Sequence, residues 1–180
     1  ETPFAFGINL RDDAETLELL TGNGPSDQVW NPVAESGAAP RPLTVLVSGN
    51  QEYIDRYAPD FLRSASLISP GLHVHLHFCD PKVEPARQLE TARLDYPSLD
   101  ISGSWSDGQT MRRPVYYACA RFLVAPHLMR RTMAPVLIID VDATFNRDPG
   151  GHLSTLDLAD VGLSITEGGN HWNIVKAGLV

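Results

Sequence analysis

The chain has 180 residues, room for one domain with a substantial core and too few for two of ordinary size. Its formal charge of −8 argues against a nucleic-acid binder, because phosphate backbones demand a net basic surface. No apolar run reaches the roughly 20 residues that a membrane helix needs.

The chain opens on Glu1 rather than Met and stops inside the apolar stretch 174–180, so it reads as a piece of a longer protein, truncated at its C-terminus. Two cysteines, Cys79 and Cys119, sit in apolar surroundings without metal or redox spacing. Two buried free thiols fit a reducing, cytoplasmic compartment.

Residues 4–8 suggest a strand and 14–20 a short helix. Glycine, proline and serine are dense over 21–42, so residues 1–42 read as an N-terminal arm and linker, with the folded domain at 43–180. The run 43–48 is almost continuously apolar and is stopped by Gly49-Asn50, as expected for a strand covered on both faces. Tyr53, Ile54, Tyr57, Phe61, Leu62 and Ala65 follow at helical spacing. A second strand spans 73–78, a second helix 84–94 with proline near its start, and a short strand 99–102. A long helical pattern covers 114–129, bent at Pro126. The most apolar strand is 136–141, and after a helical or turn-like 151–158 another strand follows at 161–165. Alternating strands and helices predict an α/β domain: a mostly parallel sheet with helices on both faces, binding its ligand at the carboxyl ends of the strands. That rule brings Ser48-Gly49-Asn50 and Asp140-Val141-Asp142 to one rim.

Asp140 and Asp142 end an apolar strand at i, i+2, a spacing that puts both carboxylates on one side, roughly 7 Å apart at Cα. Such a pair repels itself unless a cation or proton intervenes. A hard divalent ion, Mn²⁺ or Mg²⁺, bridged to substrate phosphates is the usual solution. Upstream, five arginines (Arg112, Arg113, Arg121, Arg130, Arg131) fall within one stretch of twenty residues and could hold a small phosphate ligand. His73, His75 and His77 alternate on one strand face, where zinc chelation competes with a polar face near a sheet edge, the favoured reading. Residues 104–109 and 167–173, the latter with Trp172, read as loops at the same rim or on the surface.

Asp140-x-Asp142-x-Thr144 resembles the signature of haloacid-dehalogenase-like phosphatases, which would make Asp140 the nucleophile and Asp142 the general acid. That family places the motif on its first strand, whereas three strand candidates precede it here. The ordered set of stretches is more similar to GT-A-fold glycosyltransferases, particularly those related to glycosyltransferase family 8, over residues 43–180. Residues 43–50 look like the opening strand and its nucleotide-side loop. Residues 116–123 resemble the helix whose arginine, here Arg121, faces the sugar nucleotide. Residues 136–142 resemble the Asp-x-Asp strand, and 173–178 the strand that shapes the donor-sugar pocket.

The resemblance implies a metal-dependent transferase of a nucleoside-diphosphate sugar, with a UDP-sugar as the expected donor and an unknown acceptor. Asp140 and Asp142 would hold Mn²⁺ or Mg²⁺. Ser48, Gly49, Asn50, Arg113, Arg121, Asp140, Ala177 and Gly178 would contact the sugar nucleotide. The family's third metal ligand, a histidine near the end of the domain, has no counterpart within the 180 residues, and the acceptor half is absent. A third reading is a non-catalytic interaction domain with residues 1–42 as its contact arm.

Overall fold

The computed structural model describes residues 31–34, 42–107, 113–151, 163–165 and 175–179. The strand expected at 4–8, the helix at 14–20 and the loop at 167–173 lie outside the described residues, as does 152–158. The described strands are β1 (Asn31–Ala34), β2 (Thr44–Asn50), β3 (His73–Cys79), β4 (Asp100–Ser106), β5 (Val136–Ile138), β6 (Leu163–Ile165) and β7 (Val175–Leu179). They lie in the order β1-β4-β3-β2-β5-β7-β6. The four central strands are parallel, and the pairs β1·β4, β5·β7 and β6·β7 are antiparallel. The helices among the described residues are α1 (Gln51–Ile68), α2 (Pro85–Asp95) and α3 (Arg113–Thr132), the last containing Pro126. The expected α/β class, parallel at the centre with helices on both faces, is the one found.

The chain moves outward from β2 to β3 to β4 and then returns to place β5 on the other side of β2. Strand order therefore reverses at β2, which opens a crevice between the carboxyl ends of β2 and β5. The sheet also takes in part of the expected linker. Asn31–Ala34 pairs with β4 at an edge, where Pro32 needs no ladder donor on its open side. Val33 packs there against the main core.

The two sheet faces differ in chemistry. On the first, Val45 and Val47 of β2, Val74, Leu76 and Phe78 of β3, and Ile101 of β4 meet Ile54, Ala58, Phe61, Leu62 and Ala65 of α1, and Leu89 of α2. Full burial of each large apolar side chain is worth about 1.5–3 kcal/mol, enough to hold both helices against the sheet. Gly103 on β4 lets Leu89 reach the sheet: a Cβ there would lie 2.5 Å from one Leu89 methyl and 3.0 Å from the Leu76 carbonyl oxygen.

On the opposite face α3 packs Val124, Ala125 and Leu128 onto Leu46 and Ile138. Beside that patch the face turns polar. His73, His75 and His77 lie on a central strand, not near an edge, and are at most 2% exposed. Ser102, Ser104 and Ser106 face them from β4, so residues 104–106 belong to a strand rather than to the expected loop.

Every imidazole nitrogen of the three histidines meets a hydroxyl. Thr44 Oγ1 lies 2.8 Å from His73 Nδ1, and Ser102 Oγ lies 2.7 Å from both His73 Nε2 and His75 Nδ1. Ser104 Oγ lies 2.8 Å from His75 Nε2 and from His77 Nδ1, and Ser106 Oγ lies 2.7 Å from His77 Nε2. These nitrogens are committed to hydroxyls, and no group of three metal-binding side chains occurs among the described residues. The zinc alternative therefore has no support here. Of the cysteines, Cys79 is buried as expected, while Cys119 on α3 is exposed.

Burial pushes the His77 imidazole down to about 3, and His75 falls well below its ordinary value through burial first and then its two histidine neighbours. Both rings are neutral in the fold, whereas the unfolded chain binds protons near the ordinary histidine value of about 6.5. Stability from these groups is complete above that value and is lost as pH falls below it. For His77 the loss between pH 7 and pH 5 is about 2 kcal/mol, with His75 adding in the same direction. Urea midpoints at the two pH values check this, and equal midpoints would refute it. The same assay should find Gly103→Ala destabilised by about 1–3 kcal/mol, because buried Leu89 and a backbone carbonyl cannot both retreat.

Candidate functional site

Of the candidate residues, Ser48, Gly49, Asn50, Asp140 and Asp142 lie at the carboxyl ends of β2 and β5, which flank the crevice. β2 ends at Ser48-Gly49-Asn50, and α1 starts at the next residue. Asn50 is the N-cap: its side-chain oxygen accepts from the Tyr53 backbone N–H at 2.9 Å, satisfying one of the helix's orphan donors. Gly49 is buried, and a Cβ there would stand 3.3 Å from Tyr53 Cβ, so the first turn of α1 sits close over the strand end. Ser48 is buried with its hydroxyl unpartnered among the described residues. An unmatched buried hydroxyl beside a crevice is a group with bonding capacity to spare.

The aspartates occupy a tighter structure than the expected strand. β5 stops at Ile138, the Ile139 N–H still donates to Leu46 O at 3.1 Å, and a turn then closes from Ala143 N–H to Asp140 O at 3.0 Å. Val141, between the two carboxylates, is 2% exposed and belongs to the main core. Burying the middle residue keeps both neighbours outside the core, which is the alternation a strand would have produced. Beyond the turn, Phe145 stacks on Phe61 with ring centres 5.4 Å apart, and its N–H donates to Ser64 Oγ at 3.0 Å. The aspartate loop is thereby fastened at both ends, to β2 and to α1.

Arg121 reaches this loop from the far face. It is nearly buried on α3, and its guanidinium pairs with the Asp140 carboxylate. The Asp140 side chain is 44% exposed. Tyr53, exposed in the first turn of α1, reports the local field. The charge of Asp142, then Tyr57, slight burial and Asp140 raise its phenol above the ordinary value. Both carboxylates raise the same phenol, in keeping with their lying on one side of the turn. Two carboxylates supply hard oxygen donors of the kind that Mg²⁺ or Mn²⁺ takes.

The remaining expected residues are placed less closely. Arg113 begins α3, and Ala177 and Gly178 lie on β7, which pairs with β5 at Ile138↔Leu179; the side chains of Arg113 and Ala177 are outside the described set. The arginine cluster is not one patch. Arg130 and Arg131 end α3, about 27 Å along the helix from its start at 1.5 Å per residue. Among the described cluster members only Arg121 is at the crevice.

Sequence reasoning missed two features of this rim. Tyr53 carried only a helical-spacing signal. The second is a cleft of about 690 Å³ over the ends of β3 and β4, lined by Asp80, Lys82, Glu84, Trp105 and Asp107 among others. Gln51 holds its near wall, accepting from the N–H groups of Lys82 and Val83, and Tyr117 donates to Asp80 at 2.9 Å.

Because Asn50 caps α1 and that helix carries Tyr53, Asn50→Ala should cost about 1 kcal/mol in urea denaturation and Asn50→Asp should restore most of it; an unchanged Asn50→Ala midpoint would mean the cap contributes nothing. No family model and no curated protein matches the chain. Among solved structures, the crystal structure of S. aureus TarS 1-349 is similar at 15% identity with a TM-score of 0.42, over 72% of this chain and 38% of that one.

Proposed function

We propose that this chain is the donor-binding part of a metal-dependent glycosyltransferase that uses a nucleoside-diphosphate sugar, with a UDP-sugar as donor. The observation that carries the reading is the Asp140–Asp142 turn, paired with Arg121, at the end of β5 where strand order reverses. Arg121 beside that turn supplies the one described arginine at the crevice.

In this reading Asp140 and Asp142 hold Mn²⁺ or Mg²⁺, which when bound offsets negative charge on the diphosphate leaving group. Asp140 holds Arg121 in place before substrate arrives, so its guanidinium charge is already beside the diphosphate site. The Ser48 hydroxyl and the exposed Tyr53 ring lie on the nucleoside side of the crevice.

Calorimetric titration of UDP tests the proposal. Binding should require Mn²⁺ in the parent and weaken at least tenfold in Asp142→Asn. Binding that ignores both the metal and the substitution would overturn it. Release of phosphate from a small phosphomonoester, abolished by Asp140→Asn, would instead favour the phosphatase. Absence of nucleotide binding and turnover in the full-length protein would favour a non-catalytic interaction domain.

A further inference from the structure

The acids of this chain are unevenly placed. Its formal charge is −8, yet no Asp or Glu occurs between Asp107 and Asp140, and five arginines fall in that interval. The interval holds all of α3. Arg121 is turned inward to Asp140. Arg130 and Arg131, about 13 Å farther along the axis at 1.5 Å per residue, are exposed and take no part in the crevice.

The outer surface of the same helix is apolar. α3 turns Val124, Ala125 and Leu128 to the sheet, which leaves Phe122, Met129 and Met133 within a sector of about 40° on the outer side, at 100° per residue. Phe122 is 38% exposed, Met129 46% and Met133 85%. Met133 follows the helix directly: its N–H donates to Met129 O at 2.9 Å, and its φ of 51° is the left-handed conformation in which glycine is the usual residue. A long apolar side chain is thus held out in water where helices commonly carry none. Cys119 is exposed beside the stripe, one turn before Phe122.

Single exposed apolar residues need no explanation. Three in one stripe, next to arginines and on a helix free of acids, match the composition of a helix that rests on an anionic bilayer. Apolar chains there enter the acyl boundary, and arginines meet the headgroup phosphates and carboxylates. We propose that the outer face of α3 is a docking surface for an anionic lipid bilayer, with Phe122, Met129 and Met133 in the interface and Arg130 and Arg131 at the headgroups. A bilayer suits the stripe better than an acidic protein does, because unbranched methionines adapt to a fluid surface that asks for no shape complementarity. The strongly acidic remainder of the chain is repelled by the same surface, which turns α3 toward it. The proposal does not depend on the glycosyltransferase reading.

Cys119 makes the test direct. The other cysteine, Cys79, is buried, so a thiol-reactive, polarity-sensitive fluorophore reports from α3. Vesicles of phosphatidylcholine with about a third phosphatidylserine should shift its emission to the blue, and phosphatidylcholine alone should shift it far less. In flotation of the unlabelled chain with the anionic vesicles, Arg130→Glu should weaken binding roughly tenfold, and so should Met129→Ser combined with Met133→Ser. Urea midpoints should stay near the parent's, because all three side chains are exposed. No emission shift with either vesicle, or binding that either set of substitutions leaves intact, would overturn the proposal. A chain that ignores vesicles but self-associates, and loses that association with the two methionines, would assign the face to a second copy instead.

Discussion

Register between β3 and β4 is the constraint on which this molecule turns. Each histidine of β3 bonds the serine opposite or beside it on β4, so sliding one strand by a single residue would bring His75 and His77 opposite Gly103 and Trp105. The same slip would carry Val74, Leu76 and Phe78 out of the apolar core. Polar and apolar faces thus enforce one alignment by different means, the first through directional hydrogen bonds and the second through burial. With that alignment fixed, β2, β3 and β4 end level, and the loops that leave them form a single rim.

The rim gains its distinctive geometry from the return of the chain to β5. α1 leaves β2 over one face of the sheet, while α3 approaches β5 over the other. Residues from both layers can meet only in the crevice between those two strands. Arg121 of the second layer pairs with Asp140, while Phe145, just past the turn, packs on Phe61 of the first. The core supports this meeting directly, since Val141 and Phe145 tie the turn into the same cluster that holds α1.

Much of this was legible in the sequence, because buried parallel strands write continuous apolar runs and amphipathic helices write a 3.6-residue period. The run 43–48, the spacing from Tyr53 to Ala65 and the run before Asp140 each mark an observed element. What misled was polarity inside the sheet. His-Val-His-Leu-His reads as a half-exposed edge strand because buried histidines are uncommon, and Ser-Gly-Ser-Trp-Ser reads as a loop because serine and glycine are turn formers. Each segment satisfies the other's polar groups, so neither could be placed correctly alone. Local composition likewise hid the edge strand Asn31–Ala34, whose partner lies about seventy residues later. The aspartate spacing raised the right question but the wrong local structure: a turn around buried Val141 replaces the last turns of a strand.

Charge accounting at the crevice gives Arg121 two consecutive roles under the proposed reading. Asp140, Asp142 and Arg121 together carry about one net negative charge, and Asp80 and Asp107 along the same rim deepen the field. A free diphosphate approaching that surface would be repelled over about a Debye length, roughly 8 Å at physiological salt. With a divalent cation on the carboxylates the sum turns positive, and the diphosphate meets an attractive field that includes a guanidinium already held in place. Replacing Asp140 would therefore do more than remove one metal ligand. It would also remove the carboxylate that pairs with the nearly buried Arg121, and so disturb the packing of α3 at the rim. Asp142 is exposed and has no such structural duty, which makes it the cleaner position at which to separate metal binding from folding.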